Sequence, residues 1–245
     1  MEAIFNNQKN NSVFAFNMAK QREQVQEKEN SMRSFKSYLP ISYDQFKQLL
    51  SANAYEIMLR RSVRREFEVD RHNEPILRQL YLYFTNDPAC GWNLNAGIIF
   101  GGKMGCGKSL MMMAYLGVSD QYSRKLTTQV HSKTLGGLIR QNGMETYVRR
   151  PLFIDELGRE ESEVKDYGNI VKPVIDLFGL RYEEGSRTYA TTNFNYNSLQ
   201  NFYSEYIRTR MEEMMTYVQF PGESRRLKNE VKTRQEQVKN ELKPT

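Results

Sequence analysis

The chain has 245 residues, of which 39% are hydrophobic, and this is enough for one α/β domain with a smaller extension. The net charge of +6 lies in the flanks: residues 1–72 carry 12 Lys and Arg against 9 Asp and Glu, residues 223–245 carry 7 against 4, and the stretch between carries 16 against 16. No stretch approaches the ~20 apolar residues of a membrane span, so we expect a cytoplasmic protein without membrane contact. Two cysteines, Cys90 and Cys106, are too few for a disulfide framework or a zinc site, and we expect both to be reduced thiols.

The N-terminal region is polar and contains two apolar patches. Residues 1–36 predict a loosely ordered leader or partner-binding peptide, and a first helix is expected to begin after Ser42. A second helix is expected from about residue 73 to residue 86. Both patches offer a docking surface for a partner protein. For the patch on the first helix, packing onto the chain's own nucleotide domain is an equally good alternative. The residues concerned are Val13, Phe14 and Phe16 in the leader and Phe46, Leu49 and Leu50 in the helix.

Residues 98–109 read I-I-F-G-G-K-M-G-C-G-K-S, an apolar strand that leads into the G-x-x-x-x-G-K-S spacing of a phosphate-binding loop. Glycines allow backbone N–H groups to converge on a phosphate, and the N-terminus of the following helix adds partial positive charge. Lys108 is expected to reach the β- and γ-phosphates, and Ser109 to ligate Mg²⁺. The sequence therefore predicts a site for ATP and Mg²⁺ formed by Gly102, Lys103, Met104, Gly105, Cys106, Gly107, Lys108, Ser109 and Leu110.

Strands and helices are predicted to alternate after this loop, which is typical of a mainly parallel sheet covered by helices on both faces. After the loop helix we expect a strand at 126–130, a helix at 135–140 and a strand at 151–154. A helix at 164–180 with a kink at Pro173 follows, then a strand at 189–194, a helix at 198–216 and a short strand at 217–220. The fold class is therefore α/β.

Two acidic residues, Asp155 and Glu156, follow the apolar strand P-L-F-I. Open α/β sheets bind ligands at the carboxyl ends of their strands, so these side chains are expected at the nucleotide site. Asp155 is predicted to hold Mg²⁺ through water, and Glu156 to orient and deprotonate an attacking water. A second acid at this position favours hydrolysis over passive nucleotide binding.

Asn193 ends the next predicted strand, T-Y-A-T-T-N-F. An amide there can bridge the attacking water and the γ-phosphate, which would make it a sensor of the third phosphate. The alternative is that Asn193 only caps the following helix.

Several segments together resemble the AAA+ ATPases, and within them the DnaC-like helicase loaders of bacteria and phages. They are G-G-K-M-G-C-G-K-S, F-I-D-E-L-G, R-Y-E-E-G-S-R-T-Y-A-T-T-N-F, and Y-I-R-T-R-M-E-E-M followed by F-P-G-E-S-R-R. The resemblance covers about residues 73–227. It implies an AAA+ P-loop domain there, an N-terminal leader and helical partner-binding region over residues 1–72, a charged tail over residues 228–245 and no separate C-terminal lid domain.

The resemblance also implies roles for individual residues. Asp155 and Glu156 would be the Walker B pair, Asn193 sensor 1, Arg210 an arginine finger acting across a subunit boundary, and Arg226 the sensor 2 arginine. Arg208 and Arg225 are close competitors for the last two roles. A guanidinium suits them because it is permanently charged and planar.

As a member of this group the chain would be an ATP-dependent helicase loader that forms homo-oligomers, grips a hexameric replicative helicase and engages single-stranded DNA. The candidate DNA contacts are Lys133, Arg140, Arg149 and Arg150, with Tyr147 for base stacking. Three alternatives remain open: a transposase-helper ATPase of the IstB kind, a P-loop small-molecule kinase, and a scaffold that binds nucleotide without turnover.

Overall fold

The structure is a computed structural model that describes residues 18–20, 22–23, 41–63, 67–160, 164–166, 169–171 and 173–225. The apolar leader residues Val13, Phe14 and Phe16 lie outside this part, as do Arg226 and the charged tail over residues 228–245. Their predicted roles stay predictions.

From residue 97 onward, strands and helices follow one another, in large part in the predicted alternation. The helices are α1 (Tyr43–Arg60), α2 (Glu74–Phe84), α3 (Lys108–Ser123), α4 (Ser132–Asn142), α5 (Glu145–Val148), α6 (Pro173–Glu183), α7 (Tyr196–Phe202) and α8 (Glu205–Met214). The strands are β1 (Gly97–Gly101), β2 (Thr128–His131), β3 (Leu152–Leu157), β4 (Val164–Asp166), β5 (Asn169–Val171), β6 (Thr188–Thr192) and β7 (Met215–Gln219).

The described residues form one five-stranded sheet in the order β2-β3-β6-β1-β7, and every pair in it is parallel. The carboxyl ends of β1, β3 and β6 therefore meet at one edge of the sheet. Strands β4 and β5 form a separate antiparallel pair. This topology confirms the predicted α/β class with a parallel sheet.

Helices cover both faces of the sheet, as successive residues of β1 illustrate. Ile98 and Phe100 belong to the core that α1, α2 and α3 complete, whereas Ile99 belongs to a second core beneath α4, α6 and α8. Side chains alternate between the two faces of a strand, so a strand buried on both sides reads as a continuous apolar run.

Helix α1 packs inside this fold. Ser42 begins it with a capping box in which Gln45 is the reciprocal partner. Phe46 and Leu50 are fully buried in the first core, and the Asn53 side-chain amide donates to the Ala114 carbonyl of α3 at 3.3 Å. The apolar face proposed as a docking surface is therefore used within the chain, Leu49 included. The domain boundary at residue 72 stays a prediction.

The predicted boundaries of two helices were wrong. The helix expected over residues 164–180 is the β4–β5 pair followed by α6, which begins at Pro173. Proline lacks an N–H and presets φ, so it suits the first turn of a helix better than its interior. The helix expected over residues 198–216 is interrupted where Tyr203 and Ser204 adopt extended backbone, which separates α7 from α8, and β7 begins two residues earlier than predicted.

Arg181 is a fully buried cation that the sequence did not single out. Its guanidinium donates to the Thr188 hydroxyl at 2.9 Å and to the backbone carbonyls of Tyr147, Val148, Arg150 and Arg187. These bonds tie the segment before β3 to α6 and to the start of β6.

Within the described residues, no helix is both long and apolar enough to span a membrane.

Candidate nucleotide site

The phosphate loop connects β1 to α3 and takes a shape that glycine permits. Gly105 and Gly107 have φ of 81° and 112°, a region that L residues with a side chain rarely adopt. Gly107 is the N-cap of α3, so the first N–H groups of this helix point into the loop. A Cβ on Gly105 would lie 2.5 Å from the Ser224 hydroxyl, because the segment after β7 passes directly over the loop.

Lys108 is the centre of the loop and is only 6% exposed. Its ammonium donates to the carbonyls of Gly102 and Lys103, at 2.7 and 2.8 Å, and to Asn193 Oδ1 at 3.1 Å. Burial lowers the pKa of this ammonium from its ordinary value, while the neighbouring Cys106, Asp155 and Glu156 act in the opposite direction. No carboxylate among the described residues contacts this ammonium directly, which leaves its charge for an anionic ligand.

The predicted metal ligands meet in the structure. Ser109 Oγ donates to Asp155 Oδ1 at 2.6 Å, and the Thr191 hydroxyl donates to the same oxygen. A hydroxyl beside a carboxylate fits Mg²⁺, which prefers oxygen ligands and takes the remaining positions from water and phosphate. Among the described residues there is no cluster of three His, Cys, Asp or Glu that would form a cage made by the protein alone.

Asn193 adjoins the phosphate loop instead of capping a helix. Its Oδ1 accepts from Lys108, whereas its Nδ2 is buried and has no hydrogen-bond partner among the described residues. Asn195 provides the cap of α7 by accepting from the Ser198 N–H at 2.8 Å. A buried donor without a partner costs free energy, so the site retains an unsatisfied amide NH₂ group near Lys108.

Glu156 is fixed by its backbone and by two neighbouring side chains, Arg159 and His131. Its φ of 59° is left-handed, its N–H donates to the Thr191 hydroxyl and its carbonyl accepts from Ser132. Glu156 Oε2 lies 2.9 Å from Arg159 NH1 and 3.3 Å from His131 Nε2. The sequence reasoning missed His131 and Arg159. Only the position of His131 at the end of the strand next to β3 could have suggested its role.

The remaining residues of the phosphate loop differ in what they contact. Lys103 forms a salt bridge with Glu223 at 2.6 Å, and the Met104 side chain is 54% exposed. The Cys106 and Cys90 thiols are both free, and Cys106 is buried beneath Lys108. Leu110 packs against the first core from the first turn of α3.

Two arginines late in the chain lie in different places, Arg225 at the phosphate loop and Arg210 on α8. Arg225 Nε donates to the Cys106 carbonyl at 3.1 Å, and its NH2 lies 2.9 Å from Asp70 Oδ2. Arg225 therefore contacts the phosphate loop, while Arg226 lies outside the described residues. Arg210 lies on α8 with its guanidinium 3.5 Å from the centre of the Tyr206 ring, and its Nε is buried without a partner among the described residues.

The candidate DNA contacts divide into exposed and buried residues. Lys133, Arg140, Arg149 and Arg150 are exposed, and Arg149 pairs with Glu184 at 3.5 Å. Tyr147 was wrongly predicted to stack on a base: its side chain is only 4% exposed, and it packs in the second core.

Comparison with solved structures places this fold among known proteins. The DnaC helicase loader matches with 18% identity over 63% of this chain and 93% of its own, at a TM-score of 0.50. A candidate primosome component of Streptococcus pyogenes serotype M3 matches with 15% identity over 64% and 83%, at a TM-score of 0.51. DnaI matches with 20% identity over 64% and 85%, at a TM-score of 0.48. No family model matches the chain, and no curated protein does.

The matches to the DnaC helicase loader and to the primosome component concern the fold alone. The chain has an α/β fold with a parallel sheet, similar to that of the DnaC helicase loader.

Proposed function

We propose that this chain is an ATPase that binds ATP with Mg²⁺, hydrolyses it and uses the cycle to load a replicative helicase. The observation that carries the proposed ATPase activity is the meeting of three motifs that are distant in sequence: Ser109 of the loop bonds to Asp155, and Lys108 of the loop bonds to Asn193. A loop that cradles phosphates, a carboxylate for Mg²⁺ and an amide for the third phosphate are then at one edge of the sheet.

The phosphates would be held by the loop N–H groups and by Lys108. The ammonium would exchange the carbonyls of Gly102 and Lys103 for phosphate oxygens, which are stronger acceptors because they carry charge. Ser109 and Asp155 would hold the Mg²⁺, and bound Mg²⁺ would neutralise the negative charge that builds on the phosphates. Thr191 keeps the Asp155 carboxylate directed at Ser109.

Glu156 is the proposed base for the attacking water, and Asn193 would orient that water against the third phosphate. Arg159 and His131 both contact Oε2 of the Glu156 carboxylate, so Oε1 is the oxygen that would accept the proton. Asn193 Nδ2 offers the unsatisfied donor that a phosphate oxygen would complete. This combination supports hydrolysis over phosphoryl transfer to a small molecule.

Arg210 is the proposed finger for the site of a neighbouring subunit. Its guanidinium stacks on Tyr206, whose side chain is 56% exposed, so it is presented at the surface of α8. A permanently charged planar group can stabilise charge on a transferring phosphate. The proposal therefore includes a homo-oligomer formed with ATP or DNA.

Measuring ATP hydrolysis tests the proposed ATPase activity. The wild type is expected to hydrolyse ATP, and Glu156→Gln to bind ATP while turnover falls at least ~100-fold, the usual contribution of a general base. Mixing Glu156→Gln with Arg210→Ala subunits should restore turnover, because each variant damages a different side of the shared site. Arg208→Ala is the matched control, since Arg208 lies on the same helix but pairs with Glu205 and Glu212. An inactive wild type, or an active Glu156→Gln, would contradict the proposal.

Partner binding tests the loader part, which is supported by the fold similarity, the narrower motifs and the basic flanks. The purified full chain with ATP is expected to bind a purified hexameric helicase and to hydrolyse ATP faster with single-stranded DNA. Lys133→Glu with Arg140→Glu should remove the stimulation by DNA while basal hydrolysis stays. Binding to a transposase in place of the helicase would favour the transposase-helper alternative.

A further inference from the structure

The loop that carries Asn193 follows β6 and is held from both sides, by β3 and by β7. On the β3 side, the Thr192 hydroxyl donates to the Leu157 carbonyl at 2.8 Å. The Phe194 ring lies against Gly158, where a Cβ would come within 2.6 Å of it. Asn193 is therefore attached to the segment that directly follows Asp155 and Glu156.

On the other side the loop is held by Tyr217 of β7. The Tyr217 hydroxyl lies 3.1 Å from the Phe194 carbonyl and 3.2 Å from Gln219 Oε1. Burial raises the pKa of Tyr217, so its hydroxyl stays protonated and keeps its single hydrogen to donate. This contact joins residue 194 to a strand that has no direct pairing with β6.

Gly101 provides the space that this contact needs. Tyr217 crosses over the end of β1, and a Cβ on Gly101 would lie 1.9 Å from the Tyr217 hydroxyl and 2.3 Å from its Cζ. Gly101 pairs with both Thr192 and Gln219 in the sheet, so it lies between the sensor strand and β7. Any larger residue at position 101 would move the Tyr217 ring away from the Phe194 carbonyl.

We propose that Tyr217 is a positioning residue for Asn193: by holding the Phe194 carbonyl, it keeps the Asn193 amide facing Lys108 and so sets how strongly the site prefers a triphosphate over a diphosphate. The inference rests on the proposed function, because it deepens the role of the same site. Since β7 continues directly from α8, the same contact connects Asn193 to the helix that bears Arg210.

The test measures the affinity of the full chain for AMPPNP and for ADP, each with Mg²⁺, by calorimetry. Asn193→Ala should reduce the preference for AMPPNP, and Tyr217→Phe should reduce it about fivefold, the usual effect of one hydrogen bond. Gly101→Ala should reduce it at least as much, because it displaces the whole ring. The melting temperature of Tyr217→Phe should stay close to that of the wild type.

Two further variants separate positioning from a general structural effect. In the Asn193→Ala background, Tyr217→Phe should have no additional effect, since a residue that acts through Asn193 cannot act without it. Tyr196→Phe is the matched control, because the Tyr196 ring contacts the Tyr217 ring but its hydroxyl bonds to Glu212. It should leave the preference unchanged.

The outcomes distinguish this inference from the proposed function. If the wild type binds neither nucleotide, both are wrong. If it binds both and Asn193→Ala lowers the preference while Tyr217→Phe does not, or the two effects add, Tyr217 has no positioning role and the proposed ATPase stands.

Discussion

At the scale of single residues, the site contains one residue in an unfavourable conformation. Glu156 has a φ of 59°, and among residues other than glycine this region costs roughly 1–2 kcal/mol. Two hydrogen bonds hold the backbone in this conformation: the Ser132 hydroxyl donates to the Glu156 carbonyl, and the Glu156 N–H donates to the Thr191 hydroxyl. Strain at the proposed base is consistent with a functional demand on the direction of its carboxylate.

Two substitutions at this position should separate the strain from the chemistry. Glu156→Gly and Glu156→Ala both remove the carboxylate, so neither should hydrolyse ATP. Glycine adopts a positive φ without penalty, so the free energy of unfolding of Glu156→Gly should exceed that of Glu156→Ala by about 1 kcal/mol. Urea denaturation measures the difference. Equal stabilities would show that the backbone at Glu156 is not strained.

At the scale of elements, the pairing of β1 with β6 brings the phosphate loop beside Asn193. This pairing depends on a close approach at Gly97, where a Cβ would lie 1.7 Å from the Thr188 carbonyl oxygen. A backbone oxygen cannot move aside as the end of a side chain can, so a larger residue would have to separate the two strands.

Gly97→Ala should therefore lower the free energy of unfolding by roughly 3 kcal/mol, at the upper end of the usual cost of overpacking. Gly137→Ala is the matched control, because Gly137 lies within α4 and a Cβ there would have no atom within 4 Å. The control should be more stable than the wild type by up to ~1 kcal/mol, since alanine favours helix. A Gly97→Ala variant as stable as the control would mean that β1 and β6 tolerate a wider spacing.

At the scale of the whole molecule, the segment before β1 and the segment after β7 meet over the phosphate loop. Asp70 accepts from the N–H groups of His72 and Asn73 and pairs with Arg225, which itself donates to the Cys106 carbonyl. Burial alone would raise the pKa of Asp70, but these N–H groups and the guanidinium outweigh it, so the pKa is lowered.

This shift gives a pH dependence with a definite sign. A carboxylate whose pKa is lowered by folding stabilises the folded chain above its ordinary pKa of 3.8, and the contribution is lost as the pH falls through the lower folded value. Asp70→Asn should therefore melt a few degrees below the wild type at neutral pH, and the difference should shrink below pH 3.8. Asp87→Asn serves as control, since Asp87 has no cationic partner among the contacts found in the described residues. A difference that persists unchanged into acid would contradict the role of the Asp70 charge.

Local rules explain most of what could be predicted. The glycine spacing before Lys108, the apolar run before Asp155 and the alternation of strands with helices each arise from neighbours in sequence. They predicted the parallel sheet, and they predicted that Ser109 and Asp155 lie at one site, where the structure places their side chains 2.6 Å apart. Where local patterns mixed strand and helix formers, as over residues 164–180, the prediction was wrong.

The sequence by itself determined the fold class and the central residues of the candidate site, because backbone geometry and hydrophobic periodicity act over a few positions. Only the tertiary structure decided the partners around those residues: His131 and Arg159 at Glu156, Tyr217 at the loop that carries Asn193, and Arg225 at Cys106 across 119 positions. These contacts depend on which strands lie next to each other and on which glycines leave space, and that is fixed only when the whole core packs together.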